Sequence, residues 1–242
     1  MRWYQVIWTV SLAILLAACM PRQSIQYPVT DIVAVPDSPF DKAILAVKPF
    51  QDGRKPLMTN CPDMGVGQIQ KDGKTFYYNC DNSYKTDSVT REISAMMVAH
   101  LKESHLFKDV LLADSAVPSD ADYLLTGQVS KFDGLKEYSS GAVVAAQFGL
   151  LGALVNLAQN NPYEGTTVLD DVKLIRLKDN SVIWSGQITG HIEGTDTVDP
   201  SGWSCYTKAN LSLREANGNL VNSLVRHEVS LNLPADPPAE KK

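Results

Sequence analysis

Histidines, cysteines and paired carboxylates are the residues that could do chemistry in this chain, and their spacing supports little of it. His100 and His105 fall five apart on a predicted helix, about 140° around its axis, so they cannot share a metal as an i, i+4 pair could. Both are expected to face solvent. His191 and His227 have no Cys, Asp or Glu partner in a recognisable ligand pattern. Asp170-Asp171 opens a predicted strand and is expected to sit solvated at its end, with a carboxylate dyad as the alternative. Gly65-Val66-Gly67 precedes no helix pattern, so it makes no phosphate cradle, and no GxSxG elbow, P-loop or GxGxxG is present. Trp184 reads as core packing rather than a ligand platform. No nucleophile, base and orienting group can be assembled from these spacings. The expectation is a protein without catalytic residues, metal or dissociable cofactor.

Cysteine is more informative. Arg2 and the apolar run Val6–Ala18 form an export signal, too short for a comfortable transmembrane helix, and the run closes on Leu16-Ala17-Ala18-Cys19. That tetrad resembles the bacterial lipobox, in which the Cys thiol takes a diacylglycerol and becomes the acylated N-terminus after cleavage before it. Residues 1–18 are then the signal peptide, and Cys19 is the lipid attachment site. Diacylglycerol and an N-acyl chain on Cys19, at about 0.8 kcal/mol per buried CH₂, would hold the chain on a bilayer without a spanning helix. Met20 stands where Asp would signal inner-membrane retention in enteric bacteria, which implies the outer membrane, with the domain on its periplasmic face. The envelope permits disulfides. Cys61 and Cys80 flank the hairpin signal Asp72-Gly73, and a bridge between them would contribute on the order of 3 kcal/mol. Three free thiols, or a bridge to Cys205, are the alternatives.

As for the elements that must position these residues, 44% hydrophobic and 20% charged residues over 242 positions exclude a disordered chain and allow a sizeable core. A net charge of -5 argues against nucleic acid as a partner. Residues 19–41, with Pro21, Pro28, Pro36 and Pro39, read as a flexible tether able to hold the domain up to roughly 60 Å from the membrane. A single domain is expected over 42–233, with insertions at about 51–86 and 135–165 and a disordered tail over 234–242. Ala43–Val47, Val110–Leu112 and Tyr123–Val129 read as strands, and Val168–Leu177 with Val182–Ile188 as a hairpin. Val89, Ile93, Met96, Met97, Leu101 and Ser104 keep helical spacing, as do Leu213, Ala216, Leu220 and Leu224. The order predicts an α/β fold (or α+β): a mixed sheet of about five strands packed by two main helices, with a disulfide-closed hairpin insertion and an apolar helical insertion.

Three stretches carry a family resemblance: Ala43-Ile44-Leu45-Ala46-Val47-Lys48-Pro49-Phe50, the strand Ala121-Asp122-Tyr123-Leu124-Leu125-Thr126-Gly127-Gln128-Val129, and Val182-Ile183-Trp184-Ser185-Gly186. Together they resemble the superfamily of the curli secretion lipoprotein, the PelC exopolysaccharide lipoprotein and the LpoB activator of penicillin-binding proteins, whose α/β core the N-terminal domain of TolB shares. The resemblance implies a lipid-anchored protein that binds other envelope proteins or forms homo-oligomeric rings. It points to an accessory or assembly subunit of a transport or secretion machine. A periplasm-facing activator of a cell-wall synthase, and an envelope glycan- or lipid-binding protein, are the alternatives. The chain departs from the pattern in its Cys61–Cys80 insertion, in an apolar segment after the third strand, and in lacking a long Pro-rich linker.

That apolar segment, Gly141–Ala158, has no charge in eighteen residues. As a helix it would be about 27 Å long, with Gly141, Ala145, Gly149 and Ala153 in one row of small side chains. Because it is apolar nearly all round, Leu150, Leu151 and Leu154 included, it is expected to pack against a membrane or against other copies of the chain rather than form ordinary core.

Overall fold

The computed structural model describes residues 25–55, 66–79, 87–137, 160–197 and 204–232. Along the chain come β1 (Ile44–Val47), β2 (Gln51–Asp52), β3 (Val66–Lys71), β4 (Lys74–Asn79), helix α1 (Asp87–Glu103), β5 (Asp109–Leu112), β6 (Tyr123–Glu137), β7 (Asn160–Arg176), β8 (Ser181–Thr197) and helix α2 (Ser204–Asn232). All the strands join one mixed sheet, giving the α/β class that the sequence predicts.

Among the described residues the sheet has eight strands rather than about five. The Asp72-Gly73 hairpin forms as predicted, with both turn residues at positive φ (53° and 75°), the backbone a two-residue turn needs. It is no appendage, because β4 pairs with the far end of β6 through Phe76↔Glu137 and Tyr77↔Lys136. A short β2 adds to β6 in parallel at Gln51↔Gln128. Residues 135–137 and 160–165, expected inside an insertion, are strand as well. The tall ladders β6–β7 and β7–β8 carry polar, Gly and Pro residues that looked like loop in isolation, because one face of a sheet can be wet.

β1 sits between β5 and β6, parallel to both. Since α1 connects β1 to the parallel β5, it runs back against the strands and begins at their carboxyl end. Val89, Ile93, Met97 and Leu101 make its buried stripe, each at most 2% exposed. Leu213, Ala216, Leu220 and Leu224 do the same for α2, as their spacing predicts. Both stripes join Leu45, Leu125, Leu169 and Leu174 in one core.

Two glycines let α2 lie directly on the sheet. A Cβ on Gly165 would collide with the Lys208 carbonyl, and one on Gly190 with the Ser212 carbonyl and the Ala216 amide. Thr167 and Ser212 then share a buried hydroxyl hydrogen bond of 2.8 Å across the same junction.

Residues 25–41 are not a free tether. Tyr27 and Phe40 are only 7% and 3% exposed and belong to the core. The Ile25 amide donates to Glu92 Oε2 at 3.2 Å, the Val35 amide to the Ser104 carbonyl at 2.8 Å, and Ser38 Oγ to the Leu106 carbonyl at 2.7 Å. Phe40 stacks on Phe107 at 4.8 Å. The strap bends through turns at 30–31, 36–37 and 39–42, and its two buried aromatic residues help to hold it down.

Candidate binding cleft

The strap, α1 and α2 meet at a buried polar centre. Asn217 Nδ2 donates to Tyr27 Oη at 2.6 Å, and Tyr27 Oη lies 3.1 Å from His100 Nδ1. With its oxygen accepting from Asn217, the Tyr27 hydroxyl has its own proton available for His100 Nδ1. Burial, helped by the Arg214 charge, pulls His100 down to about 4, so the ring is neutral at ordinary pH. Burial pushes the Tyr27 hydroxyl up, against the opposing pull of Asn217 and Arg214. Asn217 Oδ1 is buried with no hydrogen-bond partner. His100 is thus not the solvent-facing residue expected: it is 4% exposed, because Tyr27 covers the helix face it stands on. His105 is exposed, just beyond the helix, in a left-handed conformation (φ 51°).

Above this centre runs a cleft of about 830 Å³. Its floor is one stripe of α2, including Leu211, Arg214, Gly218 and Val221, and its walls are Ile32 and Val33 of the strap and Ile192 and Glu193 of β8. Arg214 is ion-paired with Asp31, which closes the strap over the helix and holds the Asp31 carboxyl below its usual range. At the upper end Lys208 Nζ stands 3.6 Å from the centre of the Tyr163 ring, a cation–π contact. Gly218 opens a gap, since nothing lies within 4 Å of where its Cβ would be.

The polar groups along the cleft stand in loose contact with one another. Thr166 Oγ1 lies 3.4 Å from His191 Nδ1, and His191 Nε2 lies 3.8 Å from Glu193. Those residue types could form a nucleophile, base and orienting group, but the spacings exceed working hydrogen-bond reach, and the hydroxyl is equally shared with Glu164 at 3.4 Å. The backbone N–H of His191 donates to Glu215 Oε2 at 2.9 Å, and Asn219 Nδ2 donates to the Thr189 carbonyl at 2.9 Å, so α2 also grips the outer edge of β8.

The other sequence candidates scatter. Asp170 and Asp171 lie within β7 at a bulge rather than at its start, because the ladder extends ten residues before them; Asp171 is exposed, as expected, and takes a left-handed φ of 49° there. Hydrogen bonds from Ser130 and then Gln187 hold the Asp170 carboxyl low, so the two aspartates form no dyad sharing a proton. Trp184 packs partly buried against the core, as expected. Cys205 falls in the first turn of α2. Cys19, Cys61 and Cys80, and the row Gly141, Ala145, Gly149, Leu150, Leu151, Ala153 and Leu154, lie outside the described residues. Among the described residues no three His, Cys, Asp or Glu converge on a metal position, and no helix is long and apolar enough to cross a membrane. Sequence reasoning missed Tyr27, Arg214 and Asn217. Only Asn217, a polar residue inside an apolar helical stripe, left a signal.

No family model matches the chain, and no curated protein does. Solved structures do. A Xanthomonas campestris protein of the DUF330 family is 14% identical over 82% of this chain and 93% of that one, at a TM-score of 0.47. The PelC dodecamer of Paraburkholderia phytofirmans is 15% identical over 76% and 94%, at 0.31. A Helicobacter pylori homolog of the neuraminyllactose-binding hemagglutinin is 10% identical over 88% and 100%, at 0.38. With every score below 0.5, these likenesses carry no role to this chain.

Proposed function

We propose that the chain is an outer-membrane lipoprotein, anchored through diacylglycerol and N-acyl groups on Cys19. In this reading it serves as a non-catalytic accessory or assembly subunit of an envelope transport or secretion machine. The observation that carries it is the lipobox tetrad Leu16-Ala17-Ala18-Cys19 behind an apolar run that is too short to span. The cleft geometry agrees with a binding role: a groove along one stripe of α2, beside a buried His100 that is neutral at ordinary pH. In the same reading the uncharged run Gly141–Ala158, which lies in sequence between β6 and β7, would meet a membrane or other copies of the chain. A disulfide between Cys61 and Cys80, which flank the β3–β4 hairpin in sequence, belongs to the same reading.

The test is metabolic labelling with palmitate, together with pull-down by the mature domain. Label should enter the wild type and not Cys19→Ala, and transport or secretion components should be recovered. Label in the Cys19→Ala protein would defeat the anchor. Recovery of a cell-wall synthase instead would favour the activator alternative. Peptide mapping without reductant should show Cys61 joined to Cys80.

A further inference from the structure

The geometry points to a domain held close against the bilayer by its own strap, with the flank where α1 begins turned to the lipid surface. This rests on the lipoprotein reading of Cys19. A tether free from Cys19 to Asp41 would allow a stand-off of roughly 60 Å. The strap removes most of that length. Its chain is fixed from Ile25 onward, where the backbone N–H bonds Glu92 in the second turn of α1 and the side chain packs on the core. Only six residue steps separate Ile25 from Cys19, and at ~3.5 Å per step they reach about 21 Å at most.

Nor can the strap easily give the length back. Releasing it would break the Tyr27 bonds to His100 and Asn217, the Asp31–Arg214 ion pair, the Val35–Ser104 backbone bond and the Phe40–Phe107 stack. Early α1, where Ile25 docks through Glu92, exposes Arg91 and Ala95, and Arg91 pairs with Asp114 at 2.7 Å. It lies at the carboxyl end of the parallel strands. β6 and β7 extend beyond that same end before the chain leaves at Glu137 and re-enters at Asn160. The turn between β7 and β8 at residues 177–180 lies at the other end and faces away. The partner this arrangement fits is therefore a lipid surface, met edge-on by the sheet.

Neutron reflectometry of the full lipidated protein on supported bilayers of phosphatidylethanolamine and phosphatidylglycerol reads the height directly. Protein density should begin within about 20 Å of the headgroups, with no hydrated gap. Ten Gly/Ser residues inserted between Ser24 and Ile25 should let the layer rise and open such a gap without altering the fold, because they precede Ile25, the first described residue that docks. A wild-type layer standing off by about 40 Å or more would overturn the close attachment while leaving the anchor intact. A layer that does not move on insertion would overturn the strap as what sets the height. Wild-type protein that takes up no palmitate and ignores the bilayer would overturn the lipoprotein reading itself, and this inference with it.

Discussion

Helix α2 is held on two sides by opposite means. Towards the sheet, side chains are deleted: Gly165 and Gly190 bring strand backbone against helix backbone. Towards the strap, polar groups are buried: Asn217, Tyr27 and His100 are joined in a line, with Asn217 Oδ1 left unpaired. The first contact rests on close backbone packing and one neutral hydroxyl pair, Thr167 with Ser212, and should be indifferent to pH. The second depends on every member keeping its partner and its charge state, so it is the side that conditions can loosen.

The largest effect should come from the sheet side. Gly190→Val forces two backbones apart and should cost about 3 kcal/mol or more in urea unfolding, or prevent folding. Near-normal stability of that variant would mean α2 can ride higher on the sheet than the packing implies.

Acid should strike only the strap side. His100 titrates near 4 when folded and at 6.5 in an unfolded chain, so the unfolded state takes up the proton first as the pH falls. Stability is then whole above about pH 6.5 and declines towards pH 4, by up to about 3 kcal/mol from this residue. His100→Gln should flatten that part of the profile; an unchanged slope would locate the sensitivity elsewhere.

Tyr27→Phe keeps the ring but strands His100 Nδ1 and Asn217 Nδ2 without partners. It should cost about 2 kcal/mol, and strap amides should exchange faster while those of β7 and β8 do not. Equal acceleration in both regions would erase the difference between the two sides. The smallest effect belongs to Asp31→Asn. The exposed Asp31–Arg214 pair should leave the urea midpoint almost unmoved, and what little it adds should vanish in high salt.

Local pattern made the core legible. The i, i+4 stripes at Val89–Leu101 and Leu213–Leu224, the buried run Leu45–Val47 and the Asp72-Gly73 turn each encode their element within a few residues. What stayed hidden is long-range. Tyr27 lies 73 residues from His100 and 190 from Asn217, so no spacing rule could join them. The strap looked like linker because proline content is visible in sequence, whereas the groove that receives it exists only once both helices are in place. Strand ends were missed for a related reason. Asn160-Asn161-Pro162 is a poor strand by propensity and becomes one by pairing with β8.

The grip of α2 on β8 has a consequence for behaviour at high protein concentration. A seventeen-residue border strand is an invitation to fibrillar stacking, since its outward amides and carbonyls can recruit any extended neighbour. Glu215 and Asn219 already occupy that border at His191 and Thr189, near its middle. An incoming segment meets two short docking stretches instead of one long one, too little for a runaway template. The helix thus acts as a built-in stopper, permitting chosen contacts while denying the chain an endless sheet.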